Sequence, residues 1–390
     1  MQRDNSADDQ QDVSPRAATS RRRFLTVTGS ATLATALAGC QFGEDSETET
    51  ATEGSTGVNT ATESETETET GPSFVGTEGT AFTLGDGQFT PLGGNHPQLR
   101  KQSSEEQETW FDEWLEVVPD LNVLRATAWG NGTENTEVPL QPEPGEYNER
   151  AFRLLDRVLY QFGRLGVRLV LPLANYWDWR GGIPQYVEWS EEAESKADFY
   201  TDEQCRTWYR EFVRTVLERE NTITGVQYRD DPTVMLWELA NEPEGGEAFR
   251  QWVADTADYI KSIDDNHLVS TGMGMATSAT EFAAAHDAES IDAYSLHVWA
   301  DPQHTGIGPD GGVEVMQAHK EAADDLDIPL YVGEFGWSVD RTDDTPDYRE
   351  LNRRNRIFEG WFLAMRELDV AGSLVWDLRY DSEYPLGWNH

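Results

Sequence analysis

The chain has 390 residues, 72 of them acidic and 30 basic, for a formal net charge of −42. An acid excess of this size repels nucleic acid and anionic membranes, so it excludes a nucleic-acid partner and leaves a membrane reachable only through a covalent anchor. The acids run through the whole chain and only four lysines occur (Lys101, Lys196, Lys261, Lys320), a balance suited to molar salt, where a Debye length of about 3 Å screens self-repulsion.

Residues 1–19 are polar and are expected to be disordered. Ser20-Arg-Arg-Arg-Phe-Leu25 and the small-residue apolar stretch to Gly39 follow. A charged segment before so short an apolar stretch reads as an export signal, and the Arg-Arg pattern resembles a twin-arginine signal. Leu37-Ala-Gly-Cys40 resembles a lipobox, which predicts lipidation of Cys40 and an extracellular, membrane-anchored protein. Residues 41–72 are dominated by Thr, Glu, Ser, Gly and Ala, cannot bury a core, and read as a tether. With Cys40 lipidated, Cys205 has no disulfide partner. It falls on an apolar helical face with Tyr209, Phe212 and Val216, which predicts a buried, inert thiol.

The folded domain is expected over 73–390, as a monomer. An Asp86-Gly87 turn between short apolar runs predicts a hairpin over 82–89. Eight strands are predicted at 89–94, 122–129, 167–174, 234–240, 267–272, 291–299, 330–333 and 372–378. Helical patterns lie between them at 104–118, 148–165, 202–218, 247–263, 278–288, 313–326 and 348–368. Strict alternation of strand and helix implies parallel strands with right-handed crossovers. Eight such units predict an α/β fold, a (β/α)8 TIM barrel, with its last helix missing. Only residues 379–390 follow the eighth strand, and Pro385 and Gly387 interrupt them. The outer faces of the first and last strands, Leu374 included, are therefore expected to be poorly covered.

The run 234–240 is almost wholly apolar and stops at Asn241-Glu242-Pro243. A strand buried on both faces that ends in this way presents Asn241 and Glu242 at the C-terminal mouth of a barrel, where such folds keep their chemistry. Leu330-Tyr-Val-Gly-Glu334 ends alike, close to three units further on at roughly 31 residues per unit of a ~250-residue barrel. The other strand ends add Asn95, His96, Arg125 and Trp129 to this rim. Asn175, Trp177 and Trp179 follow strand three, His297 and Trp299 end strand six, and Trp376 ends strand eight. Two carboxyl groups among an arginine, amides and tryptophans suit glycoside cleavage, in which one carboxyl protonates the leaving oxygen and the other attacks or activates water. Tryptophan faces suit the apolar faces of sugar rings. The seven histidines are scattered, with no His-Glu-x-x-His or Cys-x-x-Cys, so neither a metal nor another cofactor is expected. Gly-x-Ser-x-Gly is lacking too, as is a Gly-x-Gly-x-x-Gly after the first strand.

Trp237-Glu-Leu-Ala-Asn-Glu-Pro243, Val332-Gly-Glu-Phe-Gly336 and Leu374-Val-Trp376 together resemble glycoside hydrolase family 5. Asn175-Tyr-Trp-Asp-Trp-Arg-Gly-Gly182 and the stretch from Arg219 to Pro232 resemble its endo-β-1,4-mannanase branch, and the similarity spans roughly residues 74–388. The resemblance implies a retaining mechanism on a β-mannan, with Glu242 as acid/base and Glu334 as nucleophile. It also implies that Asn241 binds a sugar hydroxyl, that Arg125 and His297 hold the nucleophile side, and that Trp376 is a sugar platform. Asn175, Trp177, Trp129 and Trp299 are further candidate substrate contacts. Two positions depart from the branch: His297-Val-Trp299 replaces its usual His-x-Tyr, and Glu244 replaces an arginine after Asn-Glu-Pro. An endo-glucanase with the same mechanism, a solute-binding lipoprotein and an inactive carbohydrate-binding barrel are the alternatives. The last two need no carboxyl pair.

Overall fold

The computed structural model describes residues 73–378, apart from 117, 135, 275–277, 301–304, 338–340, 343–344 and 347. The export signal, Cys40, the tether and the tail 379–390 lie outside the described residues. Among the described residues no helix is long and apolar enough to cross a membrane.

Eight parallel strands form the barrel: β1 Leu92–Asn95, β2 Val123–Arg125, β3 Arg168–Pro172, β4 Val234–Glu238, β5 Leu268–Ser270, β6 Tyr294–Val298, β7 Leu330–Phe335 and β8 Gly372–Val375. They pair in sequence except for β5 with β6, and β8 pairs with β1. A bridge between Ser270 and Ala293 joins the edges of β5 and β6, reinforced by Ser270 Oγ donating to the Ala293 carbonyl at 2.7 Å. The helices are α1 Ser104–Leu115, α2 Glu149–Arg164, α3 Ile183–Trp189, α4 Glu203–Leu217, α5 Glu247–Lys261, α6 Ala279–His286, α7 Pro309–Asp325 and α8 Tyr348–Glu367. All eight predicted strands and all seven predicted helices are present. The short α3 was not foreseen, because its seven residues hold too few turns to show a helical period.

Local chemistry sets the helix starts. Ser103 and Glu106 form a reciprocal capping box on α1, and Asn148 and Asp202 cap α2 and α4. Helix α2 buries Phe152, Leu155, Val158, Leu159 and Phe162 along one face, and Phe162 meets Phe111 of α1 edge to face at 5.7 Å.

Two apolar clusters follow from strand alternation. Residues such as Leu124, Trp237 and Val332 pack outward against the helices. Val123, Val170, Leu236, Tyr331 and Leu374 pack inward at the foot of the barrel. The foot is closed by a small sheet in which Val75–Glu78 pairs with Ala81–Leu84, and Ala81–Leu84 with Gly87–Phe89. Its Phe82 is fully buried and meets the Tyr331 ring at 6.2 Å. The predicted hairpin is thus one part of three strands, and its turn is Gly85-Asp86, one residue earlier than expected; Gly85 takes the positive φ of 60° that the turn requires.

The expected exposure around β8 is corrected. Leu374 points into the barrel and is fully buried beside Val75 and Phe82. On the outer side Val375 and Leu378 are buried, and the Trp110 and Trp114 indoles of α1 both donate to the Leu378 carbonyl, at 2.9 and 3.0 Å. Helix α1 therefore covers the seam between β8 and β1. Cys205 is buried as expected, and burial pushes its thiol up to about 12.

Candidate active site

The expected rim residues other than His96 converge at the C-terminal mouth. Glu242, just beyond β4, has φ 52°, an uncommon conformation for a residue with a Cβ, and its N–H donates to the Gly272 carbonyl at 2.7 Å. Its Oε1 receives His297 Nδ1 at 2.8 Å and its Oε2 the Trp177 indole at 2.7 Å. Glu334 lies across from it, with Oε1 2.6 Å from Arg125 Nη1 and 3.7 Å from His297 Nδ1. Glu242, His297 and Glu334 each place one polar atom within 4.8 Å of the other two. A separation of about 5–5.5 Å between carboxyl groups belongs to retaining glycosidases, and about 6.5–9.5 Å to inverting ones.

The same three groups have the spacing of a metal triad. The Arg125 guanidinium against Glu334 supplies a positive charge where a cation would have to bind, and Glu242 already accepts two hydrogen bonds. The donor set suits a proton-transfer pair better than an ion.

Around the pair the partners are fixed. Asn241 Oδ1 accepts from Arg125 Nη2 at 2.8 Å, and its amide donates to Asn175 Oδ1 at 3.0 Å. Asn175 is buried and donates in turn to the Trp179 carbonyl, so it positions Asn241 instead of lining the cleft. Asn95 binds the Gly333 carbonyl and accepts from Arg125. His96 turns away from the mouth and packs edge-on against Trp110 at 4.7 Å. Trp376 and Trp299 meet at 6.1 Å, edge to face. Trp129 is 3 % exposed and Trp179 is 40 % exposed, so Trp129 backs Trp179, its neighbour at 5.8 Å, which offers the larger free face. Beyond Glu242, Lys196 sits 3.4 Å from the Tyr176 ring centre and 4.6 Å from that of Trp177, in the field of Glu244.

Glu238 and Tyr331 were not foreseen. Glu238 is fully buried, receives two Arg125 nitrogens, and accepts from the Tyr331 hydroxyl at 2.7 Å. The one signal in the sequence is a carboxylate inside an otherwise apolar strand, two residues from Leu236 and so on the same inward face.

The electrostatics couple the two carboxyls. Burial raises Glu334 to about 7, assisted by the charges of Glu242 and Glu238 and opposed by His297 and Arg125. Burial would raise Glu242 as well, but the bonds from His297 and Trp177 outweigh it and hold Glu242 below the ordinary glutamate value. The pair therefore carries a single proton between those limits. That proton favours Glu334, whereas the acid/base role expected of Glu242 needs it there. His297, within 3.7 Å of both, connects the two arrangements.

Residues 117–367, more than half of the chain, match the family model described as glycoside hydrolase family 5 β-mannosidase-like. The chain is 33% identical over 303 residues to mannan endo-1,4-β-mannosidase 8 of Oryza sativa subsp. japonica, covering 69% of this chain and 79% of that protein. It is 31% identical over 331 residues to mannan endo-1,4-β-mannosidase 1 of Arabidopsis thaliana, covering 77% and 79%. The endo-1,4-β-mannanase structure from Rhizomucor miehei superposes with a TM-score of 0.67 at 26% identity, over 78% of this chain and 90% of that one. The chain belongs to glycoside hydrolase family 5, in its β-mannosidase-like group.

Proposed function

We propose that this glycoside hydrolase cleaves internal β-1,4-mannosidic bonds of mannan polysaccharides with retention of configuration, Glu334 acting as nucleophile and Glu242 as acid/base. The observation that carries the reading is the carboxyl pair gathered around His297 at the barrel mouth. The mannanase relatives support the choice of substrate. In the first step Glu334 attacks the anomeric carbon while Glu242 protonates the departing glycosidic oxygen. Glu242 then takes a proton from water, which displaces Glu334 and releases a β-anomer. Arg125 holds the Glu334 oxygen and orients the Asn241 amide toward the sugar. The exposed face of Trp177 and the faces of Trp179 and Trp376 receive sugar rings. Reducing-sugar release from galactomannan set against carboxymethylcellulose tests the substrate. Faster release from carboxymethylcellulose would turn the reading into an endo-glucanase.

We also propose twin-arginine export, lipidation at Cys40 and a monomer that works at high salt. Ser20–Leu25, Leu37–Cys40 and the net charge of −42 support these readings. Cys40→Ser should move the protein from the membrane fraction to the medium; a wild type already soluble after export would contradict the anchor.

A further inference from the structure

Arg125 has five N–H bonds, and the site uses all of them. Nε donates to Glu238, at 3.1 Å from Oε1 and 2.9 Å from Oε2. Nη2 divides between Glu238 Oε2 at 2.6 Å and Asn241 Oδ1 at 2.8 Å. Nη1 divides between Asn95 Oδ1 at 3.2 Å and Glu334 Oε1 at 2.6 Å. Glu238 engages the Nε edge of the fork and so fixes rotation of the planar group about its last bond. The plane then dictates where the remaining donors point. Tyr331 fixes Glu238 from the other side through its hydroxyl, and the Tyr331 ring is itself wedged against Phe82 of the closing sheet. The chain of contact thus runs from the foot of the barrel to the reacting carboxyl.

We propose that Glu238 is a positioning residue of this hydrolase: a buried negative charge that aims Arg125, so that one nitrogen holds Glu334 while another holds Asn241. The proposal rests on the reading of Glu334 and Glu242 as the reacting pair. Glu238 lies on β4 below the cleft, is fully buried, and acts through Arg125 without meeting the sugar. It has a second consequence. Arg125 carries one positive charge between two carboxyls, Glu238 and Glu334. The Glu238 carboxylate already balances part of that charge, and Glu334 keeps its proton to higher pH than it otherwise would. The other groups facing Glu334 are His297 from β6, Glu242 from beyond β4 and Arg125 from β2. A substitution at residue 238 removes none of these groups, and Arg125 keeps its charge while its aim is altered.

The test is Glu238→Gln in the exported protein, compared with Glu238→Asp and the wild type on a soluble β-mannan across pH. The uncharged amide cannot accept the whole Arg125 edge. The kcat of Glu238→Gln should fall by up to about 100-fold, as a reacting group is displaced by a fraction of its proper placement, with KM little changed. The loss of a buried negative charge should also move the basic limb of the pH profile down by roughly half a unit or more. Glu238→Asp keeps the charge and retracts it by one methylene, so its kcat should fall while its basic limb stays at the wild-type position. A folded Glu238→Gln with wild-type kcat and an unmoved basic limb overturns the proposal. If Glu238→Gln does not fold, Glu238→Asp decides: wild-type kcat there overturns it. A wild type without activity on any β-mannan would instead overturn the mannanase reading.

Discussion

Glu334 stands opposite His297 across the β6–β7 ladder because that ladder slips at Gly333. Leu330 and Val332 face outward into the helical layer, and Tyr331 faces into the barrel. Strict alternation would place Glu334 on the outer side with Val332. The extra residue reverses the parity, so Glu334 points into the mouth with Arg125 and His297. The apolar run 330–333 announces a strand, but a bulge depends on the neighbouring strands and leaves little mark in a single sequence.

Gly333 should therefore resist substitution. A Cβ there would meet His297 Nε2 at 3.1 Å and Cδ2 at 3.2 Å. Gly333→Ala should shift the imidazole that bridges the two carboxyls and reduce kcat by roughly 10-fold or more, with the barrel still folded by circular dichroism. Undiminished kcat in Gly333→Ala would show that the His297 position is not critical.

On the proposed assignment of Glu242 and Glu334, the two carboxyls define the pH range of activity. Only the one-proton form of the pair can work, whichever carboxyl holds that proton at rest. With Glu334 raised to about 7, the last proton leaves near neutrality, and kcat/KM should fall above that pH. With Glu242 held below the ordinary glutamate value, the second proton binds only in more acid solution, which sets the acid limb. A profile still rising past pH 8 would contradict this coupling.

Much of this site was legible because strand ends punctuate themselves. Asn241-Glu242-Pro243 closes an apolar run, and proline there removes a ladder donor. The roles of Asn175 and Trp129 were harder to read. A rim position does not reveal how a side chain is used: Asn175 is buried and bonds Asn241 and the Trp179 carbonyl, while Trp129 packs on Trp179 and lines a small cavity with Asn241 and Trp376. Glu238 and Tyr331 lie far apart in the chain and become a pair only when β4 and β7 face each other across the barrel. The covering of β8 was misjudged because inward and outward residues of a strand buried on both faces look alike in sequence.

A buried histidine pair sets a separate acid limit on stability. His286 bonds the Phe282 carbonyl and the Thr271 hydroxyl, each at 2.8 Å, and stacks on Tyr294 at 4.1 Å. His319 bonds the Tyr294 hydroxyl at 2.8 Å. Burial holds His286 down at about 3, helped by His319, and holds His319 at about 4. The unfolded chain takes up these protons near pH 6.5, before the native state does. This contribution is complete above about pH 6.5 and is lost as the pH falls toward 4. Urea titrations should show the unfolding free energy declining by up to ~1.4 kcal/mol per pH unit for each histidine in that window. His319→Gln should flatten the slope; an unchanged slope would remove His319 from the account.

Salt should stabilise the fold. The net charge of −42 leaves strong self-repulsion once the salt is removed. Below about 0.1 M, where the Debye length exceeds ~10 Å, the melting temperature should drop steeply. Equal melting temperatures at 0.1 M and 3 M would contradict the high-salt reading.

The account stands most directly on the stereochemistry of the first bond cleaved. Proton NMR of a β-1,4-mannooligosaccharide, recorded within the first minutes of hydrolysis, reports which anomer leaves the site. The pairing of Glu242 and Glu334 predicts the β-anomer first, with α appearing only as it mutarotates, and predicts loss of the signal in Glu242→Ala and Glu334→Ala. Initial release of the α-anomer, or normal turnover in either variant, would contradict it.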